Sequence, residues 1–495
     1  MSDFGVWVHA ASLVFQWKYM LLIIGTSFVG LITGLLPGIG ALNTLPLFLP
    51  ITFALQPDLA IIVLAVLYMS SVYGGSISAI LLNTPGTASS AATCLDGYPM
   101  SKMGKGGTAI GISMMSSFVG GFIGLAGLIF FSPIIADFAM KFQPAEYFML
   151  AFLGLTLIST STKGSTVKSL IVGCLGFIAS SVGMDILTGQ LRFTFGSFYL
   201  QGGIPFIPLI IGLFAFSEVL FLIEKKEGTI AEEGELTGSI MEGLRETFRY
   251  WKSLLRAALV GLGIGIIPGE GAVVANFTAY LTEVRFSKNP ESFGKGNPAG
   301  VVAPEASNNA CVAGTLIPTL TLGIPGGGVA AIFMGGLMMH GLNPGMELFT
   351  AHTDVLYTLF FGLVVANILI FLCGVIFAKP LARLTTIPIS ILIPCIIMLG
   401  VITTYLYRNT VMDVVVTIVT GFVGYLFRKK GFNLVPFLVG FILARIAERS
   451  FFQALLIADG SYATFFVRPI SGILFLLILS AVFLPGLIKI VRERL

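Results

Sequence analysis

Residues 34–41 read Gly34-Leu35-Leu36-Pro37-Gly38-Ile39-Gly40-Ala41, and residues 265–272 read Gly265-Ile266-Ile267-Pro268-Gly269-Glu270-Gly271-Ala272. Each stretch lies inside a long apolar run. Proline removes a backbone donor and glycine relaxes the chain, so a helix passing through either stretch is expected to break there. A second pair follows at a similar spacing. Ile80-Leu81-Leu82-Asn83-Thr84-Pro85-Gly86 in the first half is matched by Leu320-Thr321-Leu322-Gly323-Ile324-Pro325-Gly326 in the second. Irregular backbone at membrane depth is tolerated only where it is packed in protein or lines a wet cavity. Interrupted apolar segments at corresponding places in two halves point to a transporter's binding site.

The composition places the breaks in a membrane. Of the 495 residues, 56% are hydrophobic and only 11% are charged, about half the charged share of a soluble chain. Apolar runs at 19–36, 61–82, 120–136, 355–377, 411–427 and 472–491 approach the length of about 20 residues that crosses a bilayer. The expected fold is all-α and polytopic, with about 11–13 crossings in two related halves and with broken or re-entrant helices. One charged stretch separates the apolar blocks. It divides the chain into a first membrane repeat at 1–224, an amphipathic linker at 225–252 and a second repeat at 253–495. Within the linker, Ser239 and Glu242 form a capping pair, and Ile240, Leu244, Phe248 and Trp251 share a face that suits the membrane surface.

The net charge of +4 is carried by clusters rather than spread out. Arg428-Lys429-Lys430, Arg245/Arg249/Lys252 and Lys489/Arg492/Arg494 are assigned to the cytoplasm by the positive-inside rule, a reading that gives no role to nucleic acid. Five scattered cysteines show neither a disulfide framework nor metal spacing, and they read as small apolar fillers. Gly104-Lys105-Gly106 and Gly294-Lys295-Gly296 lack the length and the following Ser/Thr of a phosphate-binding loop, so an ion gradient, Na⁺ or H⁺, is the expected driving force. The hydroxyl clusters at the breaks have no His or Lys beside them in sequence, which speaks against an enzyme. A channel is the alternative to a carrier.

Two sets of residues are the candidate site. The first lies at the breaks: Gly38, Asn43, Thr44, Asn83, Thr84, Pro85, Gly86 and Thr87 in the first half, and Gly269, Thr319, Pro325, Gly326 and Gly327 in the second. Free N–H groups at helix starts attract carboxylates, so backbone near Gly38, Gly86, Gly269 and Gly326 is expected to hold a small carboxylate substrate. The second set is ionisable or amidic. In Pro304-Glu305-Ala306-Ser307-Asn308-Asn309, the residues Glu305, Asn308 and Asn309 fall on one helix face. They can coordinate Na⁺ near Glu305 and Asn308, carry a proton, hydrogen-bond a substrate, or join the halves. Glu270, in the second break, is a further candidate for ion coupling. Asp96 reads as a turn residue, and Arg445, Glu448 and Arg449 as an internal ion-pair group.

At these motifs, together with Tyr73-Gly74-Gly75-Ser76, Leu95-Asp96-Gly97-Tyr98-Pro99 and Pro318-Thr319, the chain resembles the large membrane subunit of the tripartite tricarboxylate transporters, the TctA family. The resemblance covers nearly the whole chain. It implies a multi-pass carrier of the bacterial inner membrane, working with a small membrane subunit and with a periplasmic solute-binding protein that delivers a carboxylate such as citrate. It also implies symport with an ion and no bound cofactor. The chain departs from the family pattern at Thr87, Glu270 and Gly327-Gly328, all beside the expected cavity, which leaves the choice of carboxylate open.

Overall fold

The computed structural model describes residues 3–36, 38–161, 165–185, 188–225, 237–269, 271–384, 387 and 389–494. Within them the regular structure is helical apart from one antiparallel two-stranded ladder, Gly183–Met184 with Leu191–Arg192. Among the described residues, seven helices are long and apolar enough to cross a membrane, and six shorter apolar helices accompany them. Gly40–Thr52 has 13 residues and Gly328–Met339 has 12, so each spans about 20 Å or less and falls short of a hydrocarbon core of roughly 30 Å. Phe130, Ile134, Leu372, Ile376, Ile418 and Phe422 stand exposed on the outside, the surface that lipid rather than water favours.

The two halves open in the same way. In the first, an entry helix (Trp17–Leu35) leads through the break to a return helix (Gly40–Thr52), and a core helix (Pro57–Leu82) follows. In the second, the entry helix is Trp251–Ile266, the return helix Gly271–Phe286 and the core helix Ala299–Leu322. Entry and core helices touch through glycines. A Cβ on Gly30 would lie 3.1 Å from the Leu67 carbonyl oxygen, and one on Gly34 only 2.0 Å from that of Ser71. The equivalents are Gly261 at 2.2 Å from Ser307 and Gly265 at 2.8 Å from Cys311. Small residues let backbones approach this closely, the usual means of helix association in lipid. Partner numbers rise together, so entry and core helices run parallel. The return helix must then lead back toward the side from which the core helix starts.

The core helices have no outward face. Every residue from 59 to 81 and from 299 to 321 is buried. They meet each other through Tyr68 with Thr315 and Ser76 with Glu305. As one number rises the other falls, so the two core helices are antiparallel. Cross-packing between the halves is reciprocal. Gly120 and Gly124 of the long Gly106–Ala139 helix press on Ala306 and Ala310 of the second core helix. Gly362 of the Thr353–Ile376 helix lies against Ile62 of the first.

The linker helix is Ile240–Thr247, with the Ser239 hydroxyl accepting from the Glu242 amide at 3.4 Å. Its inner side is Gly243, Leu244 and Thr247, seated on Thr108 and Gly111, while Phe248 and Trp251 remain exposed. The expected apolar face is thus divided between protein contact and the outside. Residues 226–236 of the linker lie outside the described residues.

Candidate substrate site between the chain breaks

Both first breaks use one backbone solution. The entry helices end at Leu36 (φ −82°, ψ 113°) and Ile267 (φ −79°, ψ 116°), each followed by two left-handed glycines. These are Gly38 and Gly40 at φ +86° and +27°, and Gly269 and Gly271 at +93° and +64°. Only glycine adopts such angles without strain. The second pair also matches: the core helices end in left-handed residues, Asn83 at φ +55° and Gly323 at +66°. After each end the chain doubles back onto its own core helix. The Gly86 amide donates to the Gly75 carbonyl at 3.2 Å, and the Gly326 amide donates to the Thr319 hydroxyl at 3.2 Å.

The breaks of one half are brought against helices of the other. Gly328, which opens the helix after the last break, lies against Leu42 of the first return helix. These two helices run side by side, through Gly336 against Leu49, to Thr52 and His340, whose side chains are 2.9 Å apart. The mirror contact also exists. Asn276 of the second return helix donates to the Ser89 carbonyl at 2.8 Å, and Tyr280 donates to Asp96 at 2.8 Å. Two helix starts, at Gly40 and Gly328, therefore open beside each other.

The expected site residues divide by position. Asn43 donates to the Gly38 carbonyl, and Thr44 to that of Gly40 at 2.9 Å. Thr87 shares hydrogen bonds with Ser89 and Ser90, both at 3.0 Å. Thr84 donates to the Leu82 carbonyl at 3.2 Å, and Asn83 is an exposed helix end. Pro85 is half-buried, Pro325 is buried, and extended Gly327 lies against Gly271. The Gly269 amide donates to the Gly326 carbonyl at 3.2 Å. In this conformation the amides of Gly86, Gly269 and Gly326 are therefore bonded within the protein, and the polar groups left to a ligand are mostly side chains. Glu270 and Pro37 lie outside the described residues.

Glu305 is fully buried in a ring of hydroxyls from the opposite half. Ser76 donates at 2.6 Å, Ser117 at 3.0 Å and Ser113 at 3.2 Å, and Thr93 donates to the other carboxylate oxygen. Asn308 and Asn309, on the same face, are buried as well, yet none of their side-chain oxygens and nitrogens has a partner among the described residues. An unpaired buried amide costs about 1–3 kcal/mol, so two in succession call for an explanation. No group of three His, Cys, Asp or Glu side chains gathers as a metal set among the described residues.

Sequence reasoning missed several members of this neighbourhood. Ser113 and Ser117 stand one helical turn apart in an apolar run, a signal that was available. Asp96 is no simple turn residue. It is buried, and it accepts from Tyr280 and from the Gly296 and Asn297 amides, each at 2.8 Å, tying the halves together. Glu448 pairs with Arg192 at 2.5 Å rather than with its helix neighbours.

Two cavities open at the two ends of the first return helix. One, of about 380 Å³, is lined by Leu42, Asn43, Glu218, Arg428, Asn433 and Val435. The other, of about 360 Å³, is lined among others by Phe206, Gly335, Asn343, Tyr407, Arg408 and Arg445. Phe53, at the far end of the return helix, stacks on Tyr407 at 5.8 Å. The paired starts at Gly40 and Gly328 adjoin the first cavity through Leu42 and Val435, both beside Gly328.

The profile of the Tripartite tricarboxylate transporter TctA family matches residues 20–439. A 52.8 kDa uncharacterized protein of the TAR-I ttuC' 3' region of Agrobacterium vitis is 34% identical over 467 residues, 94% of this chain and 93% of that protein. An uncharacterized protein of the TAR-II ttuC' 3' region of the same organism is 33% identical over 231 residues, 47% of this chain and 96% of its own length. With the family's profile covering most of the sequence, this multi-pass membrane protein belongs to the TctA family of tripartite tricarboxylate transporters.

Proposed function

We propose that the chain is the carrier subunit of an ion-gradient-driven importer of a tricarboxylate or related carboxylate. A periplasmic binding protein delivers the substrate, and a small membrane subunit completes the complex in the bacterial inner membrane. The observation that carries this reading is the meeting of two helix starts, Gly40 and Gly328, in a molecule whose antiparallel core pair bears two buried amides unpartnered among the described residues. Helix starts favour carboxylates. Asn308 and Asn309 add donors and acceptors that nothing among the described residues satisfies. Thr87 and its serine neighbours lie in the first-half break, and Thr319, inside the second core helix, holds the Gly326 amide of the second-half break.

Glu305 is the proposed coupling group. It links the halves through four hydroxyls, and each hydroxyl keeps lone pairs that can turn toward Na⁺. A proton on Glu305 would instead displace one of those donations. Either event alters the contact between antiparallel halves, and rocking such halves about a central site is a known route to alternating access.

Uptake of radiolabelled citrate and succinate into vesicles holding this chain and its small membrane subunit tests the reading. Accumulation that needs both an imposed Na⁺ or proton gradient and the binding protein supports a coupled carrier. Gradient-independent conductance would favour a channel. Glu305→Gln is expected to abolish accumulation above equilibrium. Unchanged accumulation in that variant would remove Glu305 from coupling.

A further inference from the structure

The cavity beside the first break holds a charge arrangement that the proposed carrier site does not use. Arg428 lies at its wall with Glu218, 2.5 Å apart, and its guanidinium sits 5.1 Å from the Phe221 ring centre one turn further along the Glu218 helix. The Glu218 carboxylate reaches the tip of the break, where a Cβ on Gly38 would meet its oxygen at 2.9 Å. Asn43, Asn433 and Val435 line the same space, and Val435 touches Gly328. By the positive-inside rule the Arg428-Lys429-Lys430 cluster makes this the cytoplasmic mouth.

We propose, resting on the carrier reading above, that Arg428 is a carboxylate-binding residue at this mouth and that Glu218 is its tethered competitor. An ion pair that served packing alone would be enclosed, whereas this one faces about 380 Å³ of open space. A guanidinium binds any carboxylate in the same forked manner, so a substrate carboxylate can replace that of Glu218 on Arg428. The exchange leaves the Glu218 carboxylate without its cation, and the open cavity must hydrate that charge. The arriving anion brings its own charge, and Glu218 swings away from Gly38, uncovering the tip of the break. When the anion leaves, Glu218 returns. An arginine without such a competitor would hold the anion and slow its release. The pair therefore sets affinity at the mouth and also covers the break.

Citrate and succinate binding to the purified full-length chain tests the exchange, with vesicle uptake as a second readout. Glu218→Gln removes the competitor and is expected to tighten binding at least fivefold while slowing uptake at saturating substrate. Arg428→Gln is expected to weaken binding at least tenfold, and Arg428→Lys to recover part of that loss. The double variant Glu218→Gln/Arg428→Gln leaves no buried charge unpaired. Its weak binding in a chain that still elutes as folded protein would separate recognition from stability. Equal affinity in all variants, or no binding in any, would overturn the proposal. Wild-type uptake that both single variants reproduce would overturn it too, while leaving the carrier reading intact. The expected binding pattern without uptake under any gradient would uphold the mouth site and remove the carrier reading.

Discussion

The two halves share a backbone and differ in chemistry. Their entry helices end within a few degrees of each other, and each break is built from two left-handed glycines. Around that frame the first half supplies hydroxyls: Ser76, Thr93, Ser113 and Ser117 all point at the other half. The second half supplies the carboxylate and the amides. At the crossing itself the first core helix offers Gly75, whose missing side chain makes room for Thr87 and Ser90, while the second offers Thr315, against which Gly326 packs. A duplicated frame thus keeps its geometry while its surfaces specialise, one half as donor shell and the other as the charged centre.

The packing side of this comparison should break most severely. A Cβ on Gly34 would sit 2.0 Å from the Ser71 carbonyl oxygen, but one on Gly265 would sit 2.8 Å from that of Cys311. Overpacking commonly costs 1–3 kcal/mol, so Gly34→Ala is expected to cost at least about 3 kcal/mol and Gly265→Ala about half as much. Gly263, with nothing within 4 Å of its Cβ position, is the neutral control. Melting of the three purified variants in detergent checks the order. Equal losses at Gly34 and Gly263 would show that entry and core helices do not meet as described.

Next comes the tie between the halves at Asp96. Three donors converge on its buried carboxylate, two of them backbone amides of the other half. Asp96→Ala leaves all three unpaired and is expected to cost about 2–3 kcal/mol, with Asp96→Asn intermediate. If melting moved only as much as for a surface substitution, this contact would not hold the halves together.

Asn308 should separate stability from transport. Its amide makes no hydrogen bond among the described residues, so exchanging it for an apolar side chain of similar size removes a cost rather than a contact. Asn308→Leu is expected to raise stability by about 1 kcal/mol while reducing uptake at least tenfold. A variant that loses stability would mean that Asn308 is structural.

How much of this was legible in the sequence follows from what each feature depends on. The breaks were readable because Gly and Pro act locally: Pro268-Gly269 and Pro325-Gly326 each remove a backbone donor and relax the chain. The Glu305 face was readable because helical spacing alone puts residues 305, 308 and 309 together. The opposing sense of the halves was not, since it appears only when Tyr68 is found on Thr315 and Ser76 on Glu305. Asp96 was misread for the same reason. Its sequence neighbours Gly97 and Pro99 suggest a turn, while its true partners lie about 200 residues away. Backbone amides expected to be free at the breaks proved bonded within the fold, because a chain that doubles back can satisfy itself.

The smallest expected effect lies at the crossing of the core helices, where the two joints are unequal. Ser76 to Glu305 is a short bond to a carboxylate at 2.6 Å, whereas Tyr68 to Thr315 joins two neutral hydroxyls at 3.3 Å. Hydrogen bonds between membrane helices average about 0.6 kcal/mol, and a long neutral one should not exceed that. Tyr68→Phe is therefore expected to lower stability by about 0.6 kcal/mol or less, with Thr315→Val similar. The double variant should lose less than the sum, since each single change already breaks the same bond. Ser76→Ala should cost more, because the charged centre loses one of its four donors. If Tyr68→Phe proved the more damaging of the two, the crossing would be held at its neutral end. The view of the first half as a donor shell around a charged second half would then have to be reversed.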